Sequence, residues 1–171
     1  MRTVLIALLL LSGGCDKIPT HAKKIDLSER AGERHDAVHP FPQAAEVRLF
    51  TAHTDQNMKV TYDKGRSLTA AQRRAYEALL YVQTDGDLSV AACFDPHHFV
   101  RYYDAKGKKI GEVAVCFCCG GVEMTPSNWH LRDNQLFTFN YVKLKALIAS
   151  WGVDTDIDCP PDITRPANQR S

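Results

Sequence analysis

No apolar run in this chain approaches the roughly 20 residues that a membrane-spanning helix needs. The longest, Val4 to Leu11, has about eight. An excess of charge is missing too: 21 Lys and Arg against 20 Asp and Glu leave +1. That balance removes the electrostatic case for a nucleic-acid or anionic-lipid partner. There is no Gly-rich phosphate loop, no G-x-S-x-G and no H-E-x-x-H, so nucleotide binding, the serine-hydrolase elbow and the zinc-protease helix have no sequence basis. Internal repeats and low-complexity runs are absent as well.

What is present starts at the N-terminus. Met1 and Arg2 lead into the apolar block, and Ser12, Gly13 and Gly14 end it just before Cys15. A charged start, a greasy middle and small residues make a signal peptide over residues 1–14. The segment Leu11-Ser12-Gly13-Gly14-Cys15 resembles the lipobox of bacterial lipoproteins, with Ser12 where leucine is usual. The resemblance implies that Cys15 receives diacylglycerol and anchors the chain in a cell membrane, outside the cytoplasm. Asp16 follows directly; in enteric-type sorting an aspartate there implies retention in the inner membrane, facing the periplasm. No protein partner can be named from the sequence.

Residues 15–45 read as the acylated cysteine and a flexible tether, polar and without periodicity. About 28 such residues reach roughly 30 Å. His21, His35 and His39 within them are expected to be solvated. Residues 157–171, with Pro160, Pro161 and Pro166, read as a polar tail, and Cys159 would tie that tail to the body.

Between these flanks, residues 46–156 form a single domain of ordinary size. Glu46–Thr51 and Met58–Tyr62 alternate as half-buried strands. Thr69 and Gln72 match a capping box, and Ala75, Tyr76, Leu79, Leu80 and Val82 extend an apolar stripe, predicting a helix over Thr69–Val82. Extended runs follow at Leu88–Phe94, His98–Tyr103 and Ile110–Phe117, the last two joined by a hairpin loop with Gly107. Leu144, Leu147, Ile148 and Trp151 predict a final helix capped by Gly152. The order β-β-α-β-β-β-α predicts an α+β domain, a mostly antiparallel sheet with two helices on one face.

The candidate chemistry lies in the cysteines. Beyond Cys15 the chain has Cys93, Cys116, Cys118, Cys119 and Cys159, and five thiols cannot all pair within one chain. A hairpin centred near Lys106 sets His98 opposite Ala114 and Pro96 opposite Cys116. Phe99, Val113, Val115 and Phe117 then share the core face, with His97 pointing the same way. His98, Cys116 and Cys118 share the other face with Tyr102, and the turn at Pro96 can bring Cys93 back to them.

Three readings follow. In an oxidising compartment the cysteines form disulfides, for example Cys93 with Cys116 and Cys119 with Cys159, in an interaction module. Alternatively Cys93, His98, Cys116 and Cys118 bind a soft metal ion, Zn(II) or Cu(I). The third is thiol-dependent redox or hydrolytic chemistry, with Cys118 or Cys116 as nucleophile and His98 lowering its pKa. No residue completes a triad, and catalysis is not predicted.

Cys93-Phe94-Asp95-Pro96-His97-His98 followed by Cys116-Phe117-Cys118 resembles a pattern C-F-x-P-x-H, then C-F-x-C, found in uncharacterised bacterial lipoproteins and secreted proteins. The resemblance covers about Leu68 to Gly152. It implies that Cys93, His98, Cys116 and Cys118 belong together, with Cys119 as an addition, and it brings no activity.

Overall fold

Thr69 begins the first helix as its composition requires. Its hydroxyl accepts from the Gln72 amide while the Gln72 side chain accepts from the Thr69 amide, satisfying two of the donors a helix start leaves unpaired. This is seen in a computed structural model that describes residues 36–55, 57, 59–84, 94–127 and 131–159. The signal peptide, Cys15 and nearly all of the run Leu88–Phe94 lie outside those residues.

The described elements are β1 (Asp36–Ala37), β2 (Glu46–Thr54), β3 (Val60–Tyr62), β4 (Arg66–Ser67), α1 (Ala70–Glu77), β5 (Leu80–Thr84), β6 (His98–Tyr103), β7 (Lys109–Cys116), β8 (Gly121–Thr125), β9 (Gln135–Phe139) and α2 (Tyr141–Ser150). Six strands form a sheet in the order β3-β2-β6-β7-β8, with β4 also on β2, and β1-β5-β9 form a second. Every pairing is antiparallel. The fold is α+β, with a mostly antiparallel sheet and two helices.

One face of the large sheet supplies Val47, Leu49, Val100, Tyr102, Val113 and Val115 to the main core. Tyr76 of α1, Leu144 and Ile148 of α2, and Val82, Phe137 and Phe139 of the small sheet close over them. At roughly 1.5–3 kcal/mol for each large side chain removed from water, this layer holds the domain together. The opposite face carries a smaller cluster, Phe50, Ala52 and Phe99, with Tyr103 and Ala114 beside it.

Four expectations change. The helix predicted to reach Val82 stops near Glu77, and Leu80–Thr84 is a strand. Leu80 and Val82 fit a helical stripe and a strand alternation equally; pairing with Phe139 and Phe137 decides for the strand.

The expected tether ends earlier than Ala45. From Asp36 the chain is docked: Asp36 and Ala37 pair with β5, and Val38 and Phe41 are fully buried. The Arg73 guanidinium donates to the Ala44 and Phe41 carbonyls at 2.8 and 2.9 Å, which satisfies backbone acceptors that a buried segment cannot leave open. His39, expected to be solvated, keeps an exposed side chain but places Nδ1 3.1 Å from Glu77 Oε2.

At the other end the domain continues past Asp156. Thr155 and Ile157 are buried, so the segment through Cys159 is part of the body.

The last change concerns register. The loop Asp104–Lys108 forms as expected, with Asp104 Oδ1 accepting from the Lys106 and Lys108 amides and Gly107 at φ 76°. A bulge between Tyr102 and Tyr103 then absorbs one residue, so His98 faces Val115 and Phe99 faces Ala114. A one-residue slip carries every β6 side chain to the other face. His98, Val100 and Tyr102 therefore point into the core, and Phe99 points out.

Candidate functional site

The end of β7 sits where three pieces of chain meet: the turn 117–120 that leads into β8, the segment before β6, and the loop after α2. Phe117 anchors the turn. Its ring is buried, with His98, Phe139 and Tyr141 at 4.8, 6.1 and 6.2 Å between centroids. The Tyr141 hydroxyl donates to the Phe117 carbonyl at 2.8 Å. With Phe117 held inward, Cys116, Cys118 and Cys119 are presented at one corner of the domain.

Two disulfides close that corner, Cys116–Cys119 and Cys118–Cys159, with Cα separations of 5.6 and 5.2 Å. The disulfide expectation for this region is met, but the partners differ from the expected Cys93–Cys116 and Cys119–Cys159. The cause is local. The strand ends at Cys116, and the turn beyond it folds Cys119 back onto Cys116 instead of letting it run on toward the tail. Cys116-Phe117-Cys118-Cys119 is itself a C-x-x-C spacing. Treating Cys119 as an addition to C-F-x-C hid that signal.

The two bridges differ in loop length and exposure. Cys116–Cys119 spans a sequence separation of 3 and Cys118–Cys159 one of 41. In the chain-entropy account these closures stabilise the fold by about 2 and about 4 kcal/mol. Cys116 is 2% exposed, Cys119 is partly buried and Cys118 is exposed. The backbone N–H of Cys119 donates to Cys116 Sγ at 3.1 Å.

His98 does not join the cysteines. It is 2% exposed, and Nε2–H donates to the Asp154 carbonyl at 2.6 Å, leaving Nδ1 buried with no hydrogen-bond partner. Burial pushes its pKa below the ordinary 6.5, and the bond to Asp154 opposes that only in part. His98 is a neutral fastener for the loop after α2. Neither of its ring nitrogens hydrogen-bonds to a described cysteine.

His97 is buried beside it. Its Nε2 lies 3.6 Å from Asp158 Oδ2 and 4.0 Å from Asp95 Oδ2 without a hydrogen bond. Asp158 adopts φ 51°, a conformation uncommon outside glycine, immediately before Cys159. Lys145 adds an ion pair to Asp156 at 2.6 Å. Disulfide, histidines and lysine together pin residues 153–159 to the end of the sheet.

Of the expected metal ligands Cys93, His98, Cys116 and Cys118, the three described ones are not arranged as a metal site. Cys93 lies outside the described residues, His98 faces the core, and the two others are each in a disulfide. Tyr102, expected on the same patch, is buried in the core. Among the described residues, no group of three or more His, Cys, Asp and Glu side chains is arranged to hold a metal ion. No described helix is long and apolar enough to cross a membrane. Comparison with protein families, with curated proteins and with solved structures finds no match for this chain.

Proposed function

We propose that this protein is a lipid-anchored, extracytoplasmic thiol–disulfide module. The signal-like residues 1–14 and the lipobox-like approach to Cys15 support export and acylation, and the acyl chains hold the domain at a membrane. The Cys116–Cys119 bridge exchanges with thiols of other proteins, while Cys118–Cys159 keeps the corner folded. The observation that carries this reading is a C-x-x-C disulfide at the end of a strand, with a backbone N–H aimed at one of its sulfurs. A hydrogen-bond donor at that position favours the thiolate that exchange releases.

The soft-metal reading has less support, because Cys116 and Cys118 are engaged in separate bridges and His98 in the core. An interaction module is favoured by one observation: on the open face of the large sheet, Arg101 lies 4.5 Å over Phe50 and 4.3 Å over Tyr62. Aromatic and arginine side chains of this kind are frequent contact residues, but Arg101 is already paired with Glu112 at 2.5 Å.

The test uses the full acylated protein in its oxidised state, mixed with a reduced, unfolded protein that carries two cysteines. Disulfide formation in that protein should run at least about tenfold faster than with a Cys116→Ala/Cys119→Ala variant. Equal rates would remove the exchange function. The membrane part is checked on the same preparation: the N-terminal peptide should begin at an acylated Cys15, and Cys15→Ser should leave the chain without lipid.

A further inference from the structure

The two sulfurs of the Cys116–Cys119 bridge are unequal in three ways. Cys116 is almost completely buried and Cys119 is only partly so. The Cys119 backbone N–H points at Cys116 Sγ at 3.1 Å. Phe94, 36% exposed, lies beside Cys119: a methyl group added to Gly121 would sit 2.8 Å from the Phe94 ring and 3.3 Å from Cys119 Sγ. Ring and sulfur thus flank the same glycine, where a larger residue would push them apart.

From this we infer that Cys119 is the sulfur attacked, that Cys116 is the thiolate released, and that the substrate is a protein dithiol with an apolar side chain next to its attacking cysteine. The inference rests on the exchange reading and adds a direction and a substrate class to it. A nucleophile must approach along the S–S axis at an accessible sulfur, which selects Cys119. Phe94 offers an apolar surface next to that approach.

The step balances as follows. A substrate thiolate attacks Cys119 Sγ, the Cys119–Cys116 bond breaks, and a substrate–Cys119 disulfide forms. The electron pair leaves on Cys116 Sγ, which the Cys119 N–H stabilises. The second substrate thiolate then attacks the substrate sulfur of the mixed disulfide and releases Cys119 as a thiolate. One substrate dithiol becomes a disulfide with loss of two protons, and the C-x-x-C pair takes those two protons and becomes a dithiol.

The direct test reduces Cys116–Cys119 in the otherwise intact protein and follows alkylation by iodoacetamide, peptide by peptide. Cys119 should react at least about tenfold faster than Cys116. A second experiment treats Cys116→Ser and Cys119→Ser variants with oxidised glutathione; only Cys116→Ser should take glutathione onto its remaining thiol of the pair. Faster reaction at Cys116, or equal rates, would overturn the direction while leaving exchange itself in place. Failure of the wild type to exchange with any thiol would instead remove the reading beneath it. For the substrate class, the wild type should react at least about threefold faster with a dithiol peptide carrying leucine beside its cysteine than with one carrying serine there, and Phe94→Ala should slow the leucine peptide and remove that preference. An equal loss with both peptides, or none, would contradict the role of Phe94.

Discussion

Two disulfides stand side by side at the end of β7, built from one strand residue, two consecutive turn residues and one residue of the loop after α2, yet they belong to different parts of the molecule. Cys118–Cys159 reaches across 41 positions and ties the loop after α2 to the sheet; Cys116–Cys119 closes a single turn. The chemistry of the bond is the same. What differs is how much chain each bond constrains, and therefore how much the fold loses when it opens. A long closure belongs to the scaffold, and a short one can open and close while the scaffold stays.

The largest effect that can break this comparison comes from the long bridge. A Cys118→Ala/Cys159→Ala variant should lose about 4 kcal/mol in denaturant unfolding, with faster amide exchange over residues 153–159. A loss as small as that of the other bridge would undo the distinction. The Cys116→Ala/Cys119→Ala variant should lose about 2 kcal/mol and keep residues 153–159 protected.

A third prediction asks whether the long bridge holds its loop alone. His98 donates to the Asp154 carbonyl from a buried site, so His98→Leu should cost about 1 kcal/mol from that hydrogen bond. The sign of the pH effect follows from its lowered pKa. The unfolded chain takes up the proton first, so the stability that neutral His98 contributes is present above pH 6.5 and declines as pH falls below it. His98→Leu should therefore show a shallower loss of stability from pH 7 to pH 5 than the wild type. A steeper loss would contradict the assignment. The smallest effect belongs to Lys145→Met: its partner Asp156 is exposed, and the change should stay within about 0.5 kcal/mol by thermal unfolding.

How much of this was legible in the sequence depended on the range of the interaction. The capping box at Thr69 and Gln72, the Asp104–Lys108 loop, strand His98–Tyr103 and the cap at Gly152 are local, and each appears as read. The α+β class followed from them. Strands β8 and β9 were missed because Val122, Met124 and Phe137 gain their meaning only from partners elsewhere in the chain. The bulge at Tyr102 has no local residue signature, and without it the face of His98 was read backwards. In the corner, the sequence pointed to disulfides among these cysteines, and Cys116 and Cys118 are each in one. Their partners depended on a turn after β7 and on a C-terminal loop whose anchor, Ile157, is a single apolar residue in a polar stretch.

The division between the two bridges can be tested most directly by titrating the oxidised protein with a dithiol reductant, trapping thiols with an alkylating reagent at each step, and mapping the modified cysteines. The account predicts an intermediate with Cys116 and Cys119 alkylated and Cys118–Cys159 intact, folded and with residues 153–159 still protected. Opening of Cys118–Cys159 first, or of both bridges in one step, would contradict it.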